Sequence, residues 1–199
     1  MKIVVVPHGK KLENVGACVR ELAADPPMTM EGKLQILNLV PTLKEFGPFD
    51  AAYSSLMDRA CGSMCTAVKL LGITRATCIK QLGQHGNKDG DGTVIFYPGY
   101  ENDTVLTWQQ QGLDAVRLIN AEVAQNGLAE GAVGAKGYGV LPPKRALVFT
   151  HRPILAGLVA TASYIYDVEG IQAILDAKEL VGKGFRVFNC TNSGLTLEV

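Results

Sequence analysis

The chain is poor in groups that titrate near neutral pH: it has three histidines in 199 residues. It also lacks an excess of charge, with 19 basic residues against 19 acidic ones. That balance removes the long-range basic field on which nucleic-acid binding relies, so nucleic acid is not an expected partner. No apolar run approaches the length of a membrane span, and no membrane partner is expected. The amino-terminal residues lack the basic and apolar regions of a signal peptide, since an apolar strand-like run starts at once. Cys18, Cys61, Cys65, Cys78 and Cys190 are odd in number and irregularly spaced, which argues against a disulfide framework. Cys61 and Cys65 share a helical face, but no further Cys or His pair lies near them in sequence to complete a zinc set. The expectation is reduced thiols in a cytoplasmic protein, with no metal and no cofactor. Hydrophobic residues at 47% against 19% charged exclude disorder and suit one globular domain over 1–199.

What is present is a repeated local pattern. Ile3-Val4-Val5-Val6 runs into Pro7-His8-Gly9, and Ala146-Leu147-Val148-Phe149 runs into Thr150-His151-Arg152. Two of the three histidines therefore stand where an apolar strand ends. In open α/β sheets ligands bind beyond the carboxyl ends of the strands, so the pair predicts one site built from distant segments.

Between these runs, strands alternate with helices. Helices are expected over 13–24, after a Thr29 cap with Leu34, Leu37 and Val40 on one face, from about Met57 to Leu71, and from about Thr104 to Gln125. Short strands are expected at 49–54 and 76–79, one or two helices over 154–180, and closing strands at 184–189 and 194–198. The alternation predicts a three-layer α/β/α sandwich with a mostly parallel sheet. Glycine-rich stretches near 80–103 and 127–143 read as loop insertions. The glycines at 131–139 precede a strand instead of following one, which argues against a dinucleotide fingerprint. Trp108 reads as a core or interface anchor, and His85 as a solvated loop residue.

The segment Ser54-Ser55-Leu56-Met57-Asp58-Arg59-Ala60 places Arg59 where a strand turns into a helix, a natural anion site. With it the chain resembles the histidine phosphatase superfamily, the phosphoglycerate mutase-like proteins. Their first strand ends in Arg-His-Gly with an asparagine six residues after the histidine, and His8-Gly9 and Asn14 match that spacing. Thr29, Gly32 and Gln35 resemble the start of the family's next helix. Ser54, Ser55, Arg59 and Ala60 resemble its Ser-Ser-x-x-x-Arg-Ala motif, Thr150-His151 its late strand end, and Asn189 to Ser193 its closing hairpin. The ordered set covers nearly the whole chain.

The resemblance implies a phosphoglycerate mutase-like fold and phosphoryl transfer to a histidine. Such a nucleophile splits one hard displacement into two, and preorganised cations and donors carry the phosphoryl charge. By resemblance His8 is the nucleophile, with Arg59 a clamp and His151 a further oxyanion donor. Asn14 contacts the phosphate or substrate, and the partner is a small phosphorylated or anionic ligand.

The chain departs from the pattern at Pro7, which replaces the family's first arginine and supplies neither charge nor donor. Losing such a contact costs about 2–4 kcal/mol, or roughly two to three decades in rate. Lys10, Lys11 and Arg152 are unusual cations beside the two histidines, and Lys11 and Arg152 are candidate phosphate contacts. No carboxylate follows the third strand in Cys78-Ile79-Lys80-Gln81-Leu82-Gly83, so the general acid is open among Asp89, Asp91, Glu101 and Asp103. Glu101, in Pro98-Gly99-Tyr100-Glu101-Asn102, resembles a substrate-binding segment of the family. Three readings follow: a divergent histidine phosphatase hydrolysing a small phosphomonoester through phospho-His8, a catalytically silent relative binding an anion, and an unrelated α/β protein. Oligomeric state has no signal in the sequence.

Overall fold

The computed structural model describes residues 1–12, 25–83, 87–88, 94–95, 105–131, 144–177, 184–191 and 194–198. The continuous apolar run at the start forms strand β1 (Lys2–Pro7), and its alternate residues enter opposite cores. Ile3 and Val5 pack on one side of the sheet, Val4 and Val6 on the other. This two-sided burial is what an uninterrupted β-branched run demands. Strand β6 (Arg145–Thr150) divides in the same way, with Ala146 and Val148 on one face and Leu147 and Phe149 on the other.

The two strands belong to a six-stranded sheet of order β3-β2-β6-β1-β7-β8, with β2 at Ala51–Ser54 and β3 at Ala76–Cys78. Strands β3, β2, β6 and β1 are mutually parallel. Strands β7 (Arg186–Thr191) and β8 (Gly194–Leu197) close the sheet antiparallel. Asn87–Lys88 (β4) and Val94–Ile95 (β5) form a separate small pair inside the first expected loop.

Helices α1 (Met30–Phe46) and α2 (Asp58–Leu71) cover one face, through Ile36, Val40, Leu43, Met64 and Ala67. Helices α3 (Val105–Gly131) and α4 (Arg152–Ala162) cover the other, through Ala115, Ile119, Leu155 and Leu158. Helix α5 (Val168–Asp176) packs Ile171 against Ala160, with Trp108 beside them. The result is the expected three-layer α/β/α arrangement.

Two differences from the sequence reading have physical causes. Helix α3 runs on to Gly131, into the stretch expected to be loop, because glycine lowers helix propensity without forbidding it. Helix α1 buries Gly32, Ile36, Val40 and Leu43 and leaves Leu34 and Leu37 exposed at 52% and 38%. Its orientation is set by Gly32, which must face the loop after β1. The helix expected over 13–24 lies outside the described residues.

Candidate phosphoryl-binding site

Register brings the two histidines together. Strands β1 and β6 pair in parallel with Pro7 opposite Thr150, so the next residue on each is a histidine at the same edge. The His8 amide donates to the Thr150 carbonyl at 2.9 Å. The two rings lie 5.0 Å apart at 62°.

Proline at position 7 is tolerated for a backbone reason. Amides on a strand alternate sides, and the His8 amide points to β6, so an amide at position 7 would point to β7. The β7 pairing has already ended at Val5 opposite Arg186. The missing donor therefore leaves no ladder bond unmade.

The tautomer of His8 follows from its neighbours. Its Nδ1 is 2.7 Å from the Gly9 carbonyl, which only accepts, so Nδ1 carries the proton. Nε2 then presents a lone pair, toward which Arg59 Nε–H points at 3.3 Å. The His8 pKa is lowered to about 4, chiefly by burial, with the Gly9 bond opposing and Arg59 and Lys11 adding to the fall. The imidazole is neutral at pH 7, as a nucleophile requires.

His151 is fully buried at the start of α4. Its Nε2 is 2.9 Å from Ser55 Oγ, which also accepts from the Met57 amide at 3.3 Å. The Ser55 hydroxyl still has one proton to give, and His151 Nε2 is its acceptor among the described contacts, so the pair is assigned with Ser55 as donor. With that assignment the proton of the neutral ring sits on Nδ1. Nδ1 has no hydrogen-bond partner among the described residues. A buried polar atom without a partner is costly, and an acceptor oxygen reaching Nδ1 would relieve that cost. Burial, then His8, Arg59 and Lys11, push the His151 pKa well below its ordinary value.

Arg59 is the second residue of α2 and is fully buried. Beyond His8, its Nη1 donates to Asp25 Oδ1 at 3.0 Å and its Nη2 lies 3.2 Å from Met57 Sδ. Asp25 is not among the residues that the sequence singled out; it stands just before Pro26-Pro27, after the helix expected over 13–24. An acid just ahead of two prolines beside a capped helix was the available signal.

The loop that carries His8 is clamped by residues at the starts of α1 and α2. The Gly9 amide donates to Ser63 Oγ at 3.0 Å, and that hydroxyl donates to the Arg59 carbonyl at 2.7 Å. Gly9 and Gly32 meet so closely that a Cβ on Gly9 would lie 2.4 Å from the Gly32 carbonyl oxygen. A Cβ on Gly32 would lie equally close, 2.4 Å, to the Lys10 carbonyl oxygen. Thr29 caps α1 through Oγ1 and donates to the Lys10 carbonyl, while Gln35 Oε1 accepts from the Lys10 amide at 2.9 Å. The Thr29, Gly32 and Gln35 spacing thus shapes the loop that carries His8.

The candidate cations are placed differently from one another. Lys10 pairs with Glu31 at 2.8 Å, and Arg152 Nη2 donates to the Leu175 carbonyl at 2.8 Å. Lys11 is the cation whose field reaches both His8 and His151. Asn14, His85, Asp89, Asp91, Glu101 and Asp103 lie outside the described residues. Among the described residues no group of three metal-ligating side chains is placed to hold a metal. No described helix is long and apolar enough to cross a membrane.

Comparison with solved structures decides the fold. YhfR of Bacillus stearothermophilus aligns over 100% of this chain and 95% of its own, with a TM-score of 0.70 at 17% identity. A mycobacterial glucosyl-3-phosphoglycerate phosphatase in complex with VO3 aligns over 100% and 97%, with a TM-score of 0.61 at 15% identity. The protein histidine phosphatase SixA, complexed with tungstate, aligns over 100% and 95%, with a TM-score of 0.58 at 14% identity. The chain has the histidine phosphatase fold. No family model matches the chain, and no curated protein sequence matches it either. In this histidine phosphatase fold His8, Arg59 and His151 occupy the carboxyl edge of the parallel strands.

Proposed function

We propose that the protein is a divergent histidine phosphatase that hydrolyses a small phosphomonoester through phospho-His8. The observation that carries the reading is the neutral His8 with its Nε2 lone pair directed at Arg59 Nε, beside a buried His151 Nδ1 that has no partner among the described residues. Attack by the Nε2 lone pair forms an N–P bond as the ester P–O bond breaks. The bonding pair leaves with the ester oxygen. Arg59 and His151 hold the charge on the non-bridging phosphoryl oxygens. Water then attacks phosphorus, the N–P bond breaks, and phosphate and neutral His8 are released. Lys11 is the cation proposed to offset the arginine that Pro7 replaces, and Asn14 and Glu101 are proposed substrate contacts. The free thiols of Cys61, Cys65, Cys78 and Cys190 support a reducing, cytoplasmic setting.

A second reading is favoured by one specific feature. Pro7 supplies no charge, and Arg59 is already paired with Asp25, so the pocket is weakly cationic for phosphoryl transfer. A silent relative that binds an anionic ligand fits that balance. Turnover of an aryl phosphate separates the two readings, because its leaving group needs no acid. The phosphatase reading expects slow turnover by the wild type, lost in His8→Ala and raised roughly 10²–10³-fold in Pro7→Arg. Activity confined to Pro7→Arg establishes the silent relative instead.

A further inference from the structure

We propose that Asp25 is a positioning residue for Arg59, fixing the guanidinium so that its Nε/Nη2 edge faces the phosphoryl site at His8. The inference rests on the proposed phosphoryl site and adds a residue to it. A guanidinium has a fixed planar fork, so holding one nitrogen sets the direction of the others. Asp25 Oδ1 holds Nη1 at 3.0 Å. Its Oδ2 accepts from the Asp58 amide at 2.8 Å, which ties the carboxylate to the first turn of the helix that carries Arg59.

The anchor is itself stiff. Asp25 is followed by Pro26 and Pro27, whose rings fix φ. The Pro27 carbonyl accepts from the Leu12 amide at 2.9 Å, and Met28 forms a bridge with Lys11. Asp25 thus belongs to the segment that braces the loop carrying His8. One side chain couples the nucleophile's loop to the clamp's helix.

The contacts on Arg59 differ in strength in a way that fits this role. Nη1 has a charged oxygen. Among the described contacts, Nε and Nη2 have an imidazole lone pair at 3.3 Å and a thioether at 3.2 Å, both weaker acceptors than a phosphoryl oxygen. An arriving oxyanion takes the Nε/Nη2 edge from these two while Nη1 stays on Asp25. Arg59 is fully buried, so without the carboxylate its charge loses a partner that water cannot replace.

The test compares wild type, Asp25→Ala, Asp25→Asn and Asp25→Glu, with tungstate as the probe in calorimetry and the Arg59 Nε–H signal followed by nitrogen-15 NMR. We expect a resolved, slowly exchanging Nε–H signal in the wild type. Asp25→Ala moves or broadens it and weakens tungstate binding at least tenfold, and Asp25→Glu recovers part of both. If the alanine variant does not fold, Asp25→Asn is read instead, and it should weaken binding less because an amide oxygen remains for Nη1. An unchanged signal with tungstate bound as tightly as in the wild type, or more tightly, in whichever variant is read overturns the inference. A wild type that binds no tungstate defeats the phosphoryl-site reading alone, and the Nε–H signal then decides the role of Asp25.

Discussion

Replacing Ser55 with alanine tests the architecture around His151. The hydroxyl lies in a fully buried contact, with His151 Nε2 at 2.9 Å and the Met57 amide at 3.3 Å. Removing it leaves Nε2 without this partner in a ring whose Nδ1 already has none among the described residues. Stranding a buried polar group costs about 1–3 kcal/mol. For a chain of this length each kcal/mol lowers Tm by roughly 2–4 °C. The substitution also frees the ring to move its proton to Nε2, which removes the donor facing the ligand. Calorimetry should therefore show a lower Tm together with tungstate affinity weaker by about tenfold, one charge-assisted donor's worth. Ser54→Ala is the control, because Ser54 Oγ donates to the Ser55 carbonyl and touches Cys78 Sγ, with no bond to His151. It should lower Tm and leave tungstate binding unchanged. Full tungstate affinity in Ser55→Ala would refute the tautomer assignment.

Acid should destabilise the fold through His8. Its pKa falls from 6.5 to about 4 on folding, so the unfolded chain takes the proton first. That contribution is complete above pH 6.5 and is lost as pH drops toward 4, about 3 kcal/mol in all. Urea midpoints should fall over that window, less steeply in His8→Ala, and a rise would contradict the burial argument. Gly32→Ala forces a Cβ to 2.4 Å from the Lys10 carbonyl. It should cost at least about 1–3 kcal/mol of stability by denaturant melts and displace the His8 loop. Lys11→Ala should weaken tungstate binding more than Arg152→Ala, since Arg152 is engaged with Leu175. Equal losses in calorimetry would show that the field of Lys11 is unimportant.

The layers, the central strands and the meeting of His8, Arg59 and His151 were legible because each rests on a local pattern. An apolar run gives a buried strand, and the strand's carboxyl end gives a site. The face of α1 was not legible, since Leu34 and Leu37 fit helical spacing as well as Ile36 does. Only the approach of Gly32 to the loop after β1 selects between them. Asp25 was hidden for a similar reason: its partner Arg59 is distant in sequence, and its acid beside two prolines carries an adequate local explanation. Ser63 gave no signal, because a serine one turn after Arg59 looks like any helix residue until Gly9 is placed against it.

The pairing of Pro7 with Thr150 makes ligand binding a reporter of folding fidelity. A one-residue slip between β1 and β6 would turn each side chain to the opposite face and part the two histidines. States with misaligned strands thus lack the proposed phosphoryl site. A ligand that needs both rings binds only correctly registered molecules and stabilises them by RT ln(1 + [L]/Kd). Refolding in tungstate should accordingly raise the yield of native chains, acting on strands 143 residues apart through one small anion.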